Sequence, residues 1–188
     1  MTELSDSFNR ADGGLGSNWT KSSTDALAIA SNVVVGTSNH CVSYWSANTW
    51  VNDQYCQLTI GGAASRYHGA VVRHQSGSLS YYVMFANIAA SQATIYRFDN
   101  GSGSLLGSVV GSIAWAAGDT MKLDVAGSTL TAYRNGGSIF TRSDATYTGG
   151  YPGIDVIAVA GTPTVDDWVA GPALVVPVFA HYRRQQAA

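Results

Sequence analysis

The densest run of chemically versatile side chains is RYHGAVVRH, residues 66–74, followed closely by SYYVMF, residues 80–85. Together they supply Arg66, Tyr67, His68, Arg73, His74, Tyr81 and Tyr82. A lyase needs a base and a positive neutraliser of charge, roles open to Tyr or His with Arg. The same residue types suit recognition of a polyhydroxylated ligand, because aromatic rings stack on its apolar faces while Arg and His donate to hydroxyls. The plain alternative is a wet strand face, and the expectation is binding rather than catalysis. A second run, HCVSYWSANTW (40–50), places Tyr44 and Trp45 in succession, so that one points out of its sheet, and sets Trp50 in a loop.

Acid chemistry is sparse. Glycoside hydrolysis needs two carboxyl groups flanking the scissile bond. The chain has one glutamate, Glu3, close to its first residue. The adjacent pair Asp166–Asp167 lies in a strand-like segment, where alternation sends the two side chains to opposite faces. No Ser-His-Asp or Cys-His arrangement has local support, and no H-x-x-H or C-x-x-C spacing occurs. DNGSGS (99–104) lacks the acidic ladder and final Glu of a calcium loop and reads as a hairpin turn.

The elements that must position these residues are strands. Of 188 residues, 46% are hydrophobic and only 12% charged, with 21 glycines and a formal net charge of -2. That length suits one domain with a real core. Lysine occurs at Lys21 and Lys122 alone, and β-branched and aromatic residues outnumber strong helix formers. No basic stripe suggests nucleic acid; Arg183–Arg184 is the largest basic cluster. No apolar run is long enough for a membrane helix, and the N-terminal residues lack a signal-peptide pattern, so the expectation is synthesis in a cytoplasm.

Period-two segments recur between turn signals: 26–36 broken at Ser31–Asn32, 41–45 with 54–60 as a hairpin, 68–74, 79–86, 93–99, 104–111, 153–159 and 164–170. Residues 118–143 read as a three-strand meander, with turns at 126–128 and at Asn135–Gly136–Gly137. SIAWAAGD (112–119) is the one candidate helical turn. About twelve short antiparallel strands without helices predict an all-β sandwich or jelly roll. Cys41 and Cys56 read as two small buried thiols in a reducing compartment; opposed in the 41–60 hairpin, they could form a disulfide outside a cell.

DSFNRADGGLGSNWT (6–20), GDTMKLDVAGSTLTAYRNGG (118–137), TGGYPGIDV (148–156) and DDWVAG (166–171) resemble the concanavalin A-like lectin/glucanase superfamily. More closely, they resemble laminin-G-like jelly rolls of phage virion proteins and of secreted bacterial carbohydrate-active proteins. The resemblance covers residues 6–171 and implies two curved antiparallel sheets with the first and last strands side by side. Phe8, Trp19 and Trp168 would then close the core. Asp6, Asp166 and Asp167 would fall together, either accepting hydrogen bonds from loop backbone or forming a structural calcium site. Glycosidases of the superfamily use two glutamates in an E-x-D-x-x-E strand, which this chain lacks.

The resulting expectation is a non-enzymatic structural and adhesion protein of a phage particle, shown on its capsid or tail, with a lectin-like jelly roll for cell-surface carbohydrate. The alternative is a secreted carbohydrate-binding module or polysaccharide-degrading enzyme of the same fold. The expected sugar site is Trp45, Trp50, His68, Arg73, Tyr82 and Arg97. Residues 172–188 are surplus to the jelly roll and too apolar to dangle in water; they either pack back on their own domain or, through Leu174, Val176, Phe179, Arg183 and Arg184, form an anchoring arm to other virion subunits or to a second copy.

Overall fold

The computed structural model describes residues 2–36, 40–62, 67–157 and 163–173. Among them are sixteen strands and no helix, arranged as two antiparallel sheets. Short strands, turn residues and apolar alternation dictate this outcome. One sheet runs β14 (Gly137–Ser143), β13 (Thr129–Arg134), β12 (Thr120–Ala126), β7 (Gln54–Ile60), β16 (Thr164–Pro172), β5 (Val33–Gly36), β4 (Leu27–Ala30) and β2 (Gly13–Gly14), with β1 (Leu4–Asp6) also on β16. The other runs β11 (Ser102–Leu105), β10 (Gln92–Asp99), β9 (Tyr81–Asn87), β8 (Tyr67–His74), β15 (Tyr151–Ile157), β6 (Cys41–Trp45) and β3 (Trp19–Lys21).

The expected pairing of the chain's ends is present: Asp6 stands opposite Trp168 and Leu4 opposite Ala170. Trp168 is fully buried, stacks on Trp45 at 4.9 Å and meets Trp19 edge-on at 4.9 Å. Phe8 is buried beside Trp19. The glycine-rich opening stretch therefore turns the chain so that two aromatics meet over the core. The meander over 118–143 also forms, its second turn made by Asn135 and Gly136 at φ 49° and 78°, where positive values suit a two-residue hairpin. Ser31 and Asn32, at φ 53° and 64°, turn β4 into β5 in the same way.

Several expectations need correction. Residues 41–45 and 54–60 are not a hairpin: β6 lies in the seven-stranded sheet and β7 in the nine-stranded one. Cys41 and Cys56 are thus buried thiols on opposite sheets. Within 104–111 only Ser104 and Leu105 belong to a strand, and Val110 makes a single bridge to Ala93. SIAWAAGD forms no helix. The last strand runs past Gly171 to Pro172, and Ala173 N–H still donates to Asp53 O at 3.0 Å.

The core lies between the sheets, but the seven-stranded sheet is buried on both faces. Along β8 and β9, Ala70, Val72, Tyr82 and Met84 point into the main core, while Val71, Tyr81, Val83 and Phe85 form a second cluster with Val42 and Phe98. Period two assigns these sets to opposite faces. The second face holds the candidate site.

Candidate functional site

The outer face of the seven-stranded sheet carries a file of rings. Phe98 of β10 stacks on Tyr81 of β9 at 4.9 Å, Tyr81 on His74 of β8 at 5.4 Å, and His74 on Tyr44 of β6 at 4.4 Å. Tyr151 of β15 meets Tyr44 at 5.0 Å, and His40, just ahead of β6, meets Phe98 at 5.4 Å. Offset ring pairs of this kind each add about 0.5–1.5 kcal/mol to area burial.

Under the rings lies one carboxylate. Asp155 of β15 is completely buried; its Oδ2 accepts from the Tyr81 hydroxyl at 2.9 Å and faces His40 Nε2 at 3.1 Å. Its Oδ1 lies 3.1 Å from the same nitrogen without a hydrogen bond of its own. A buried carboxylate is costly unless paired, and His40 is the basic group within reach. Burial of His40 opposes protonation, but the hydrogen bond and charge of Asp155, helped by the charge of Asp25, outweigh it and raise its pKa. Burial, then the charge and hydrogen bond of Asp155, push the Tyr81 phenol far up, so it stays a neutral donor. His74, joined to Ser22 Oγ at 2.8 Å, is pulled down to about 4 by burial and is neutral. The imidazole of His40, 30% exposed, is therefore the group of this cluster that reaches solvent, with its protonated form favoured by Asp155. Tyr67, Tyr96 and Leu79, all half-buried, edge the same face.

The residues named from sequence fall elsewhere. Trp45 is buried against Trp168, and Trp50 packs on that core with its indole N–H donating to Trp45 O at 3.2 Å. Trp45 is a core residue, and Trp50, partly buried, folds back over the core edge. His68 is fully buried on the inner face. Arg73 is also buried: its guanidinium donates to Asn52 O, Gly127 O and Tyr147 O at 2.8–2.9 Å and pairs with Asp53 at 3.3 Å. Three loops are thereby pinned by one side chain. Tyr82 and Arg97 are register partners and do meet, as expected of neighbouring strands. They meet on a loop, however: the Tyr82 hydroxyl donates to Asp144 at 2.6 Å and Arg97 to Asp144 and Asp99 at 2.7 and 2.8 Å. Burial opposes its ionisation, but these donors and the Thr146 amide hold Asp144 down at about 2. This cluster fastens the loop after β14 to the seven-stranded sheet.

The reason Arg73 misled is a bulge. Tyr151 faces His74 but Gly153 faces Val71, and Arg73 sits at φ 52°. The extra residue inverts the alternation, turning Arg73 inward and His74 outward. A second bulge, between Asp166 and Val169 with Asp167 at φ 45°, acts alike in β16. Val165 and Trp168 are buried while Asp166 and Asp167 between them both face outward, so the acidic pair shares a face instead of straddling the strand.

Of the aspartates expected to accept from loop backbone or to hold calcium, Asp6 and Asp166 accept from the Phe8 and Asp167 amides. Asp6 is spent on Arg10 at 2.6 Å, on the Trp19 indole N–H at 2.9 Å and on the Phe8 amide at 3.0 Å. Among the described residues no group of three or more His, Cys, Asp or Glu side chains could hold a metal ion. Leu174, Val176, Phe179, Arg183 and Arg184 of the expected arm, and Arg66, lie outside the described residues.

His40 and Asp155 are what sequence reading missed. The available signal was an acid isolated in an apolar strand, GIDVIAV, since such an acid is buried and must find a cation.

No family model and no curated protein matches the sequence. Solved structures do match by shape. Carbohydrate-binding module CBM66 from Bacillus subtilis aligns with a TM-score of 0.64 at 17% identity, over 82% of this chain and 94% of that one. A prokaryotic β-1,3-1,4-glucanase (lichenase) from a mouse hindgut metagenome aligns at 0.62 and 9% identity, over 93% of this chain and 100% of that one. The exoplasmic/lumenal domain of VIP36, in a Ca2+/Man-bound form, aligns at 0.62 and 9% identity, over 92% and 90%. The fold is the lectin-like jelly roll shared by carbohydrate-binding modules and glucanases.

Proposed function

We propose that this protein is a non-enzymatic carbohydrate-binding jelly roll whose sugar site is centred on the part-exposed His40, where the buried ring file on the outer face of the seven-stranded sheet reaches solvent. The observation that carries the reading is the His40–Asp155–Tyr81 cluster set among stacked rings. A partly exposed imidazole is held in place by a buried carboxylate at 3.1 Å, so little ordering is lost when it hydrogen-bonds to a hydroxyl. Tyr67, Tyr96 and Tyr151, all half-buried, offer further ring surface along the same file, through Phe85, Phe98 and Tyr44. The carbohydrate-binding module and the mannose-bound domain of the same fold support this ligand class.

The same face speaks against glycoside cleavage. The seven strands carry two acidic residues, Asp99 and Asp155. Asp99 is taken up by Arg97 and by the Tyr147 hydroxyl, and Asp155 is sealed under His40. A retaining or inverting pair needs one carboxyl as acid and the other facing the sugar's opposite side. The chain's motif resemblance supports a setting on a phage particle, with residues 174–188 as the arm that attaches it.

A glycan array followed by titration of the best ligand, with a reducing-sugar assay alongside, tests the reading. Binding that His40→Ala abolishes, without sugar release, is the expected result. Release of reducing sugar, or binding indifferent to His40→Ala, overturns it. Co-purification with particles that is lost in a chain ending at Ala173 tests the setting.

A further inference from the structure

The opposite side of the sandwich has a groove that the first site does not use. It lies on the outer face of the nine-stranded sheet and is lined by Glu3, Tyr55, Gln57, Lys122, Asp124 and Val169, with Pro172 at its end. Register places them in two adjacent rows. Lys122 stands between Tyr133 and Gln57, and Gln57 opposite Val169; Asp124 stands beside Tyr55, and Tyr55 opposite Gly171. The bare Gly171 makes room for the Tyr55 ring, since a Cβ there would lie 3.1 Å from it. The volume, about 420 Å³, is within the usual range for small-ligand sites.

Its chemistry is specific. The Lys122 ammonium lies over two rings at once, 4.2 Å from the Tyr133 centroid and 5.2 Å from that of Tyr55. It is 3.8 Å from Asp124. Tyr55 donates to Glu3. An anion would find one cation here, already held by Asp124 and two rings. A cation would find two carboxylates, but one is already paired with Lys122 and the other already accepts from Tyr55. A neutral ring bearing hydroxyls on its rim and C–H groups on its faces suits every group: Gln57 both donates and accepts, Asp124 and Glu3 accept, Lys122 donates, and Val169 with the tyrosine rings meets the apolar face.

We infer that this groove is a second carbohydrate site, back to back with the first, and that the domain is bivalent. The inference rests on the carbohydrate reading above. Two sites facing opposite ways join two glycan chains, whereas two sites on one face would grip a single chain more tightly.

The test uses the full chain labelled with 15N and titrated with the methyl glycosides of glucose, galactose and mannose. The expected result is saturable shifts, with at least one of them, at two separate sets of amides: Gln57, Lys122 and Asp124 on one sheet, and residues flanking His40 and Asp155 on the other. Tyr133→Ala should weaken the first set about five- to tenfold while leaving the second unchanged, and His40→Ala should do the reverse. Either spectrum itself reports whether the variant is folded. Shifts confined to the His40 set overturn the second site and spare the first. Shifts confined to the Lys122 set overturn the function proposed for His40 and the bivalency. No saturable shift in either set overturns both sites.

Discussion

Acidification should unfold this protein through two buried imidazoles well before its carboxylates titrate. His68 and His74 are both fully buried, and burial pulls each pKa from 6.5 to about 4. The unfolded chain therefore binds these protons first. Stability is full above about pH 6.5 and falls as pH drops toward 4, by roughly 3 kcal/mol per ring across the window. Near pH 5 the two rings together give a slope of roughly 2.5 kcal/mol per pH unit. His40 does not offset this: its raised pKa adds stability that is already complete below 6.5 and is lost only as pH rises through its folded value. Urea unfolding at pH 7.5, 6 and 5, followed by tryptophan fluorescence, reads the effect, because Trp19, Trp45 and Trp168 pack on one another in the core. His68→Leu separates the two rings. The backbone of Gly62 and Ala86 lies near the His68 ring, but neither ring nitrogen has a well-formed hydrogen bond, so the apolar replacement should cost less than about 1.5 kcal/mol at pH 7.5 and halve the acid slope. A wild-type stability that is flat from pH 7.5 to 5, or a slope unchanged by His68→Leu, refutes the reasoning.

Arg73→Ala should cost about 3–5 kcal/mol, since it leaves three loop carbonyls without their donor, and Arg73→Lys should recover little because an ammonium cannot fork among them; urea midpoints measure both. Gly153→Ala should cost about 3 kcal/mol, as its Cβ would lie 2.3 Å from Ser43 O and 2.9 Å from Tyr44 Cα, both backbone atoms of β6 that cannot swing aside. A Gly153→Ala protein as stable as the wild type would show that β15 and β6 pack less closely than described.

The fold was legible because it depends on patterns that survive local irregularity. Alternation in 121–125, the Asn–Gly turn at 135–136 and the aromatics at both ends each announce themselves, and each is where expected. The partner of a strand is harder to read. β6 and β7 are neighbours in sequence with an ordinary loop between them, and nothing in residues 46–53 declares that the chain crosses to the other sheet. The site was least legible, because bulges are invisible to a period-two reading. One extra residue in β8 exchanged the faces of Arg73 and His74, and another in β16 put Asp166 and Asp167 on one side. Asp155 was passed over because a single acid in an apolar strand carries no motif, only a cost that a distant histidine meets.

The pairing of β1 with β16 also has a mechanical meaning. The two strands are antiparallel, with Leu4 beside Ala170, so the chain enters and leaves at the same end of that ladder. A force pulling Leu4 and Pro172 apart would act along the hydrogen bonds, at right angles to the strands, and would break them one after another like a zipper. Only three residue pairs resist it before Phe8 is drawn from the core. A load entering through one end and leaving through a bound glycan on the seven-stranded sheet would instead be spread over the packed interior. Anchored by a single terminus, the domain is a strong link; spliced in line by both, it is a weak one.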